Sequence, residues 1–199
     1  MPEFQLKASP ALGGTAAGAT EIGPFRLEEN TGFALASLAL RTGDARAVRS
    51  AVDQVLGFAA PGPGSYAAGD EFAAFWMSPD QWMVCASLDG NELLASQLQD
   101  KLGGQVSVSE QNDGWVCLDV EGPDLAGVFE RLVNVDVHDL KQGTAVRTVI
   151  EHVGCFLICL ESGHRYRLFA GRSFAHSLHH AVAAGLRSTV ALNKLEPAR

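Results

Sequence analysis

The chain has 199 residues, enough for one domain or two closely joined halves and too few for a multidomain assembly. Apolar residues make up 47% of it, so a sizeable core can form, while 15 Lys and Arg against 23 Asp and Glu leave a net charge of −8. That charge excludes a protein built to wrap nucleic acid or lie on an anionic membrane. With no membrane-length apolar run and no signal-like N-terminus, the expectation is a soluble, cytoplasmic protein.

In chain order, residues 1–22 are rich in Ala, Gly, Pro and Thr and show neither a helical nor a strand period. They read as a flexible arm, either a docking strap or plain disorder. Phe33 to Leu40 reads as a strand. The spacing of Val48, Ala51, Val52, Val55 and Leu56 then predicts a helix from about Asp44 to Leu56 with one buried face. Gly57 to Asp70, containing Pro61-Gly62-Pro63-Gly64, reads as a long surface loop serving an interface or a lid, or as an insertion without a purpose. Phe72 to Met77 and Gln81 to Ala86 flank Ser78-Pro79-Asp80 and predict a hairpin. A helix is expected to open near Asp89, with Glu92 placed for a capping box and Leu94, Leu98 and Leu102 on one side. Gly103-Gly104 ends it, and Gln105 to Ser109 alternates as a short strand.

The second half repeats this order. Trp115 to Val120 reads as a strand, and Gly122-Pro123-Asp124 puts proline at the first position of a helix striped by Leu125, Val128, Phe129 and Leu132. Ala145 to Glu151, Gly154 to Leu160 and Tyr166 to Ala170 read as strands. A final helix starts at Ser173, and Thr189 to Leu192 is a candidate last strand. These elements predict an α+β fold of two tandem, pseudo-symmetric split βαββαβ units, with helices packed on mostly antiparallel sheet. The expected organisation is an arm over 1–22 and one compact domain over 23–195, with halves of about 23–110 and 111–195.

Chemistry is sparse in this pattern. Cys85, Cys117, Cys155 and Cys159 each sit in an apolar run and read as free buried thiols. On a strand, Cys155 and Cys159 share a face but lie about 13 Å apart, too far for a disulfide or for one metal ion. His176, His179 and His180 tempt a metal reading, since i and i+4 histidines on a helix can share an ion. With Phe174, Leu178, Ala181, Val182 and Gly185 taken as the packed face, however, His176 and His180 point away from it and His179 lies at its edge. Arg165 and Arg167 share a strand face, and Arg172 precedes a helix start at Ser173. This set is either an anion or carboxylate site or a pair of solvated edge-strand arginines. Trp76 and Trp82 fill a core or meet a partner. No nucleophilic elbow, P-loop or dinucleotide fingerprint occurs, and no catalytic, cofactor-binding or metal-binding residue is singled out.

Three segments carry a resemblance. Trp76-Met77-Ser78-Pro79-Asp80-Gln81-Trp82-Met83 resembles the aromatic–Gly-Pro-Asp-Glu-Trp-Leu segment of the γ subunit of heterotetrameric sarcosine oxidase, with Ser78 in place of the usual glycine. Asp136-Val137-His138, Gly143 and Arg147-Thr148 are similar to that family's Asp-Leu-His, Gly and Thr positions. Arg172-Ser173-Phe174 with Ser177-Leu178 resembles its closing helix. The three follow one another in order over roughly residues 70–186.

The resemblance implies a non-catalytic subunit of an enzyme that oxidatively demethylates sarcosine to glycine, assembled with alpha, beta and delta subunits. It implies no cofactor in this chain: FAD, FMN, NAD and tetrahydrofolate would belong to the larger subunits and zinc to the smallest. The family is in turn similar to the folate-binding domain of aminomethyltransferases, although no folate-binding residue carries over here. Two alternatives stand beside the subunit reading. One is an independent folate-binding or aminomethyltransferase-like protein, the other a free-standing homodimeric scaffold.

Overall fold

A computed structural model describes residues 8–195. The part of the expected arm over 1–7 lies outside the described residues.

The chain opens with two short strands, β1 (Ala19–Ile22) and β2 (Phe25–Glu29), then crosses to β3 (Phe33–Leu40) and α1 (Ala45–Leu56). Asp44 caps α1 by accepting the Arg46 N–H, and Gly57 closes it in the left-handed conformation. Strands β4 (Tyr66–Ala68), β5 (Phe72–Ser78) and β6 (Gln81–Ser87) follow, then α2 (Leu94–Leu102) and β7 (Val106–Glu110). The second run comprises β8 (Trp115–Glu121), α3 (Leu125–Phe129), β9 (Ala145–Ile150), β10 (Val153–Glu161), β11 (Arg165–Gly171) and α4 (Ala175–Leu195).

All strand pairings are antiparallel and build two sheets, one ordered β4-β5-β6-β3-β7 and the other β1-β2-β8-β11-β10-β9. Apolar residues on both faces of the central strands require cover on both sides, and four layers supply it. Helices α1 and α2 lay Val48, Val52, Leu56, Leu94 and Leu98 on the five-stranded sheet. Helices α3 and α4 lay Leu125, Phe129, Leu178, Val182 and Leu186 on the six-stranded one. Leu35, Phe75, Met83, Phe156, Ile158 and Phe169 fill the space between the sheets. There the Phe75 ring lies 5.2 Å from Phe169 and 5.0 Å from Phe156, within the range of favourable aromatic pairs.

At one side the sheet edges are stitched together. Tyr66 donates its N–H to the Gly143 carbonyl at 2.7 Å, Ala145 donates to Gly64 at 2.9 Å, and Ser65 pairs with Thr144. Edges β4 and β9 thereby cover part of each other.

The two α+β units are present, but the second is completed in an unexpected way. In the first, β7 flanks β3. In the second, the equivalent place beside β8 is held by β2, from the opposite end of the chain, with Leu27 opposite Val120 and Glu29 opposite Leu118. Thr189 to Leu192, expected as the last strand, are instead the continuation of α4. The Thr189 hydroxyl bonds back to the Gly185 carbonyl at 3.1 Å and receives the Arg131 guanidinium, so its hydrogen bonds are met within a helix.

The arm expected over 1–22 is likewise revised for 8–22. Ala19–Ile22 form a strand, and Ser9, Ala11 and Leu12 hydrogen-bond through their backbones to Arg172 and Glu29. Phe25–Glu29, placed by sequence in the half over about 23–110, pair with β8 in the half over about 111–195. Smaller corrections have local causes. The 57–70 segment is pinned: Trp82 Nε1 donates to the Pro61 carbonyl at 2.7 Å, the Ala60 N–H reaches Asp53 at 2.7 Å, and Tyr66–Ala68 join the sheet. Helix α2 starts at Leu94 without a side-chain cap, so the expected start near Asp89 and its capping box are absent. Pro123 precedes α3, whose cap is Asp124 in the left-handed conformation.

Candidate functional site

A cleft of about 430 Å³ lies where the β2–β3 connection, the β7–β8 turn and residues 8–17 meet. Phe33, Leu35 and Cys117 line it together with Trp115, whose Nε1 donates to Gln111 at 2.9 Å. Glu29, only 3% exposed, ends β2 beside the cleft. Its two carboxylate oxygens accept the N–H groups of Ala11 and Leu12 at 2.6 and 3.0 Å. Arg172, positioned by its own N–H on the Gly114 carbonyl at 3.0 Å, donates to the Ser9 carbonyl. Pro10, between these contacts, is buried.

Next to the cleft lies an ion pair. Arg167 on β11 and Asp119 on β8 are directly opposite in register and join through bonds of 2.6 and 2.8 Å, with side chains 14% and 15% exposed. Asn30 adds a 2.9 Å bond to the same carboxylate, and the guanidinium carbon lies 4.5 Å from the Phe33 ring centre. Burial alone would favour the neutral arginine, but the Asp119 hydrogen bonds hold it firmly charged. Both readings of the Arg165–Arg167 pair are therefore revised. β11 is an interior strand, and the charge of Arg167 is already matched by its neighbour, while Arg165 is exposed.

The other weighed residues are dispersed. All four cysteines are buried and free. Burial pushes the Cys85 and Cys155 thiols up to about 12 and raises those of Cys117 and Cys159, which keeps them protonated and poorly nucleophilic. His176 and His180 face solvent, and His179 lies partly buried with Nε2 3.5 Å from the Thr20 hydroxyl. Among the described residues no three His, Cys, Asp or Glu side chains come together to hold a metal ion. Phe174 departs from the expected packed face and is 51% exposed. Trp82 is fully buried under α1 with the Arg49 guanidinium 5.0 Å from its ring centre, and Trp76 packs partly buried on the same core.

Three of the residues that carried the resemblance make local contacts. Asp80 turns the β5–β6 hairpin at positive φ and takes the Arg49 guanidinium at 2.5 Å. Asp136 accepts the backbone N–H of His138 at 3.1 Å, and buried Thr148 donates to Asn134 at 2.9 Å. Sequence reading missed Glu29, Asn30 and Asp119. Their partners lie up to 89 positions away, and an isolated acid on an alternating strand looks like any solvated one.

No helix among the described residues is long and apolar enough to cross a membrane. In the solved structure of heterotetrameric sarcosine oxidase from Corynebacterium sp. U-96 in complex with pyrrole 2-carboxylate, one chain superposes with a TM-score of 0.73 at 22% identity, covering 82% of this chain and 84% of that one. The glycine cleavage system aminomethyltransferase T from Bartonella henselae shares the fold with a TM-score of 0.55 at 14% identity, over 77% of this chain and 44% of that one. No curated protein matches the sequence. Residues 42–185 match the family described as sarcosine oxidase, gamma subunit, and the chain belongs to that family.

Proposed function

We propose that this protein is a non-catalytic structural subunit of a heterotetrameric sarcosine oxidase that oxidatively demethylates sarcosine to glycine. Its partners are the alpha, beta and delta subunits, and FAD, FMN, NAD, tetrahydrofolate and zinc reside in those subunits rather than here. Family membership over residues 42–185 supports the assembly role. The observation that carries the structural role is how the family-like residues are used. Asp80, Asp136 and Thr148 are each occupied in holding a turn or a loop, and the buried charges Glu29, Asp119 and Arg167 are matched within the chain. A carboxylate already accepting two N–H groups, or a guanidinium already bound bidentately, is a poor acid, base or electrophile until those bonds are broken.

The experiment separates the chain from the assembly. Sarcosine-dependent oxygen consumption and visible flavin absorbance are measured for the purified chain and for the co-expressed subunits. Neither signal from the chain and both from the assembly is the expected pattern. Sarcosine turnover by the chain alone contradicts it.

A second reading, an independent folate-binding protein, draws on the shared aminomethyltransferase fold and on the cleft, whose volume falls within the range of small-molecule sites. Titration of the isolated chain with tetrahydrofolate decides this, since saturable micromolar binding would favour the second reading over the first.

A further inference from the structure

On the inter-sheet face of the six-stranded sheet, one row of residues lacks side chains at its centre. Trp115 on β8 pairs with Gly171 on β11, and Gly154 on β10 pairs with Val149 on β9. Gly154 falls opposite Gly171, one step beyond the Cys155–Ala170 pair. The next row on this face holds Cys117, Phe169 and Phe156 of the inter-sheet core and ends at Arg147. Two neighbouring glycines between Trp115 and Val149 thus floor a recess, which is open to solvent at Gly154. Its walls are apolar. Trp115 is half-buried with its ring 6.1 Å from Phe156, Val149 is 49% exposed, and Phe174, 51% exposed, lies against Gly171.

The described fold gives Gly154 no task. Its φ lies outside the left-handed region, and an added Cβ would meet nothing within 4 Å. A glycine inside a strand weakens it, and its use there is to let another group come close. The described chain begins at the edge of this recess. Ala8 lies by Trp115, Asp113 and Arg172, and the Ser9 carbonyl accepts from Arg172, the residue after Gly171. Met1-Pro2-Glu3-Phe4-Gln5-Leu6-Lys7 precede it. Seven residues reach about 23 Å when extended, whereas the path from β8 to β9 is about 14 Å. At about 3.3 Å per residue, Phe4 comes about 13 Å from Ala8, over the strands of Gly154 and Val149. Leu6, on the same side of an extended segment, falls nearer Gly171. Charges agree with this direction. Lys7 starts beside exposed Asp113, and Glu3 arrives over β9, where Arg147 is exposed and has no ion pair among the described residues.

We infer that the glycine-floored recess is the docking site of the chain's own residues 1–7, which cross it with Phe4 seated on Gly154 against Val149 and Leu6 on Gly171 beside Phe174. The inference rests on the register of the sheet and on the length of chain before Ala8, not on membership of an oxidase assembly.

Lys7 provides the readout, because it belongs to the crossing segment. The full-length protein is digested with a lysine-specific protease, and cleavage after each lysine is followed by mass spectrometry. Rates after Lys7 are divided by those of a synthetic peptide of residues 1–14 carrying the same sequence, which has no recess to dock on. Lys101, within α2, reports whether the body remains folded. In the wild type, cleavage after Lys7 should be about tenfold or more slower than in the peptide, as burial of one phenyl ring allows. Phe4→Ser should abolish most of that protection. Gly154→Glu should do the same from the other side, since its side chain fills the floor without touching the body.

Wild-type cleavage after Lys7 at the peptide's rate would overturn the inference. Release by Phe4→Ser but not by Gly154→Glu would place Phe4 elsewhere and overturn it equally. Protection that fades on dilution would assign the recess to the segment of a second copy instead of the chain's own. Should Gly154→Glu unfold the body, as cleavage after Lys101 would show, Val149→Ser at the half-exposed rim takes its place, and an unchanged rate after Lys7 in that variant would contradict the seat.

Discussion

Arg167 and Asp119 face each other across β11 and β8 and share two hydrogen bonds, with Asn30 completing the carboxylate's shell. The pair sits at the margin of the inter-sheet core, so one partner cannot be removed without leaving the other's charge poorly solvated. Asp119→Asn should destabilise the fold by about 3 kcal/mol in urea melts, and the double replacement Arg167→Met/Asp119→Leu should recover most of that loss. A cost below about 0.5 kcal/mol for Asp119→Asn would mean that the guanidinium finds water instead.

The phase of α4 makes a second prediction. Leu178 is buried against the six-stranded sheet, whereas His180 faces solvent. Leu178→Asp should cost on the order of 3 kcal/mol or more by burying an unpaired carboxylate, and His180→Ala less than about 0.5 kcal/mol. Thermal melts showing similar losses for both would contradict the assigned face.

Gly122 makes a third. At φ +150° after β8, it lets the β1–β2 turn approach, and an added Cβ would run into the Phe25 ring and the Pro24 carbonyl. Gly122→Ala should therefore cost more than about 2 kcal/mol, because conformational strain and overlap act together. Unchanged stability would show that β2 is not held against β8 as described.

Two histidines should titrate in opposite directions. The hydrogen bond that His138 Nε2 donates to the Glu130 carboxylate, at 3.0 Å, raises the pKa of His138, and desolvation lowers that of His179. A raised folded pKa gives stability that is complete below the ordinary histidine value of about 6.5 and is lost as pH climbs through the raised one. A lowered folded pKa has the opposite sign, and its contribution falls as pH drops below about 6.5, where the unfolded chain binds the proton more readily. NMR titration of the imidazole protons should place the His138 midpoint above that value and the His179 midpoint below it. Glu130→Gln should return His138 toward the ordinary value, and a His138 midpoint indifferent to Glu130 would contradict the assignment.

Local structure was legible where the signal is local. The helical stripe of Val48, Val52 and Leu56 and the strand over Phe33–Leu40 match the elements they predict. So does the hairpin about Pro79-Asp80. What could not be read was pairing between distant residues. Thr189 to Leu192 have the composition of a short strand, but the edge they would fill is taken by β2, about 160 positions earlier in the chain. Ala11, Leu12 and Glu29 carry no periodic signal, and only their meeting in space gives Glu29 a role. The Pro-Gly segment misleads for a similar reason: Pro61 looks like surface punctuation until Trp82 is found bonded to its carbonyl.

The subunit assignment is tested most directly by co-expressing this chain with the flavin-containing subunits and passing the mixture through size-exclusion chromatography at micromolar concentration. Stable multi-subunit interfaces commonly bury about 2,000 Å² or more, so such a complex should survive this dilution. Elution of this chain in one peak with flavin absorbance and sarcosine oxidation, at a fixed ratio to its partners, is the predicted result. Elution apart from a fully assembled, active flavoprotein would contradict the assignment.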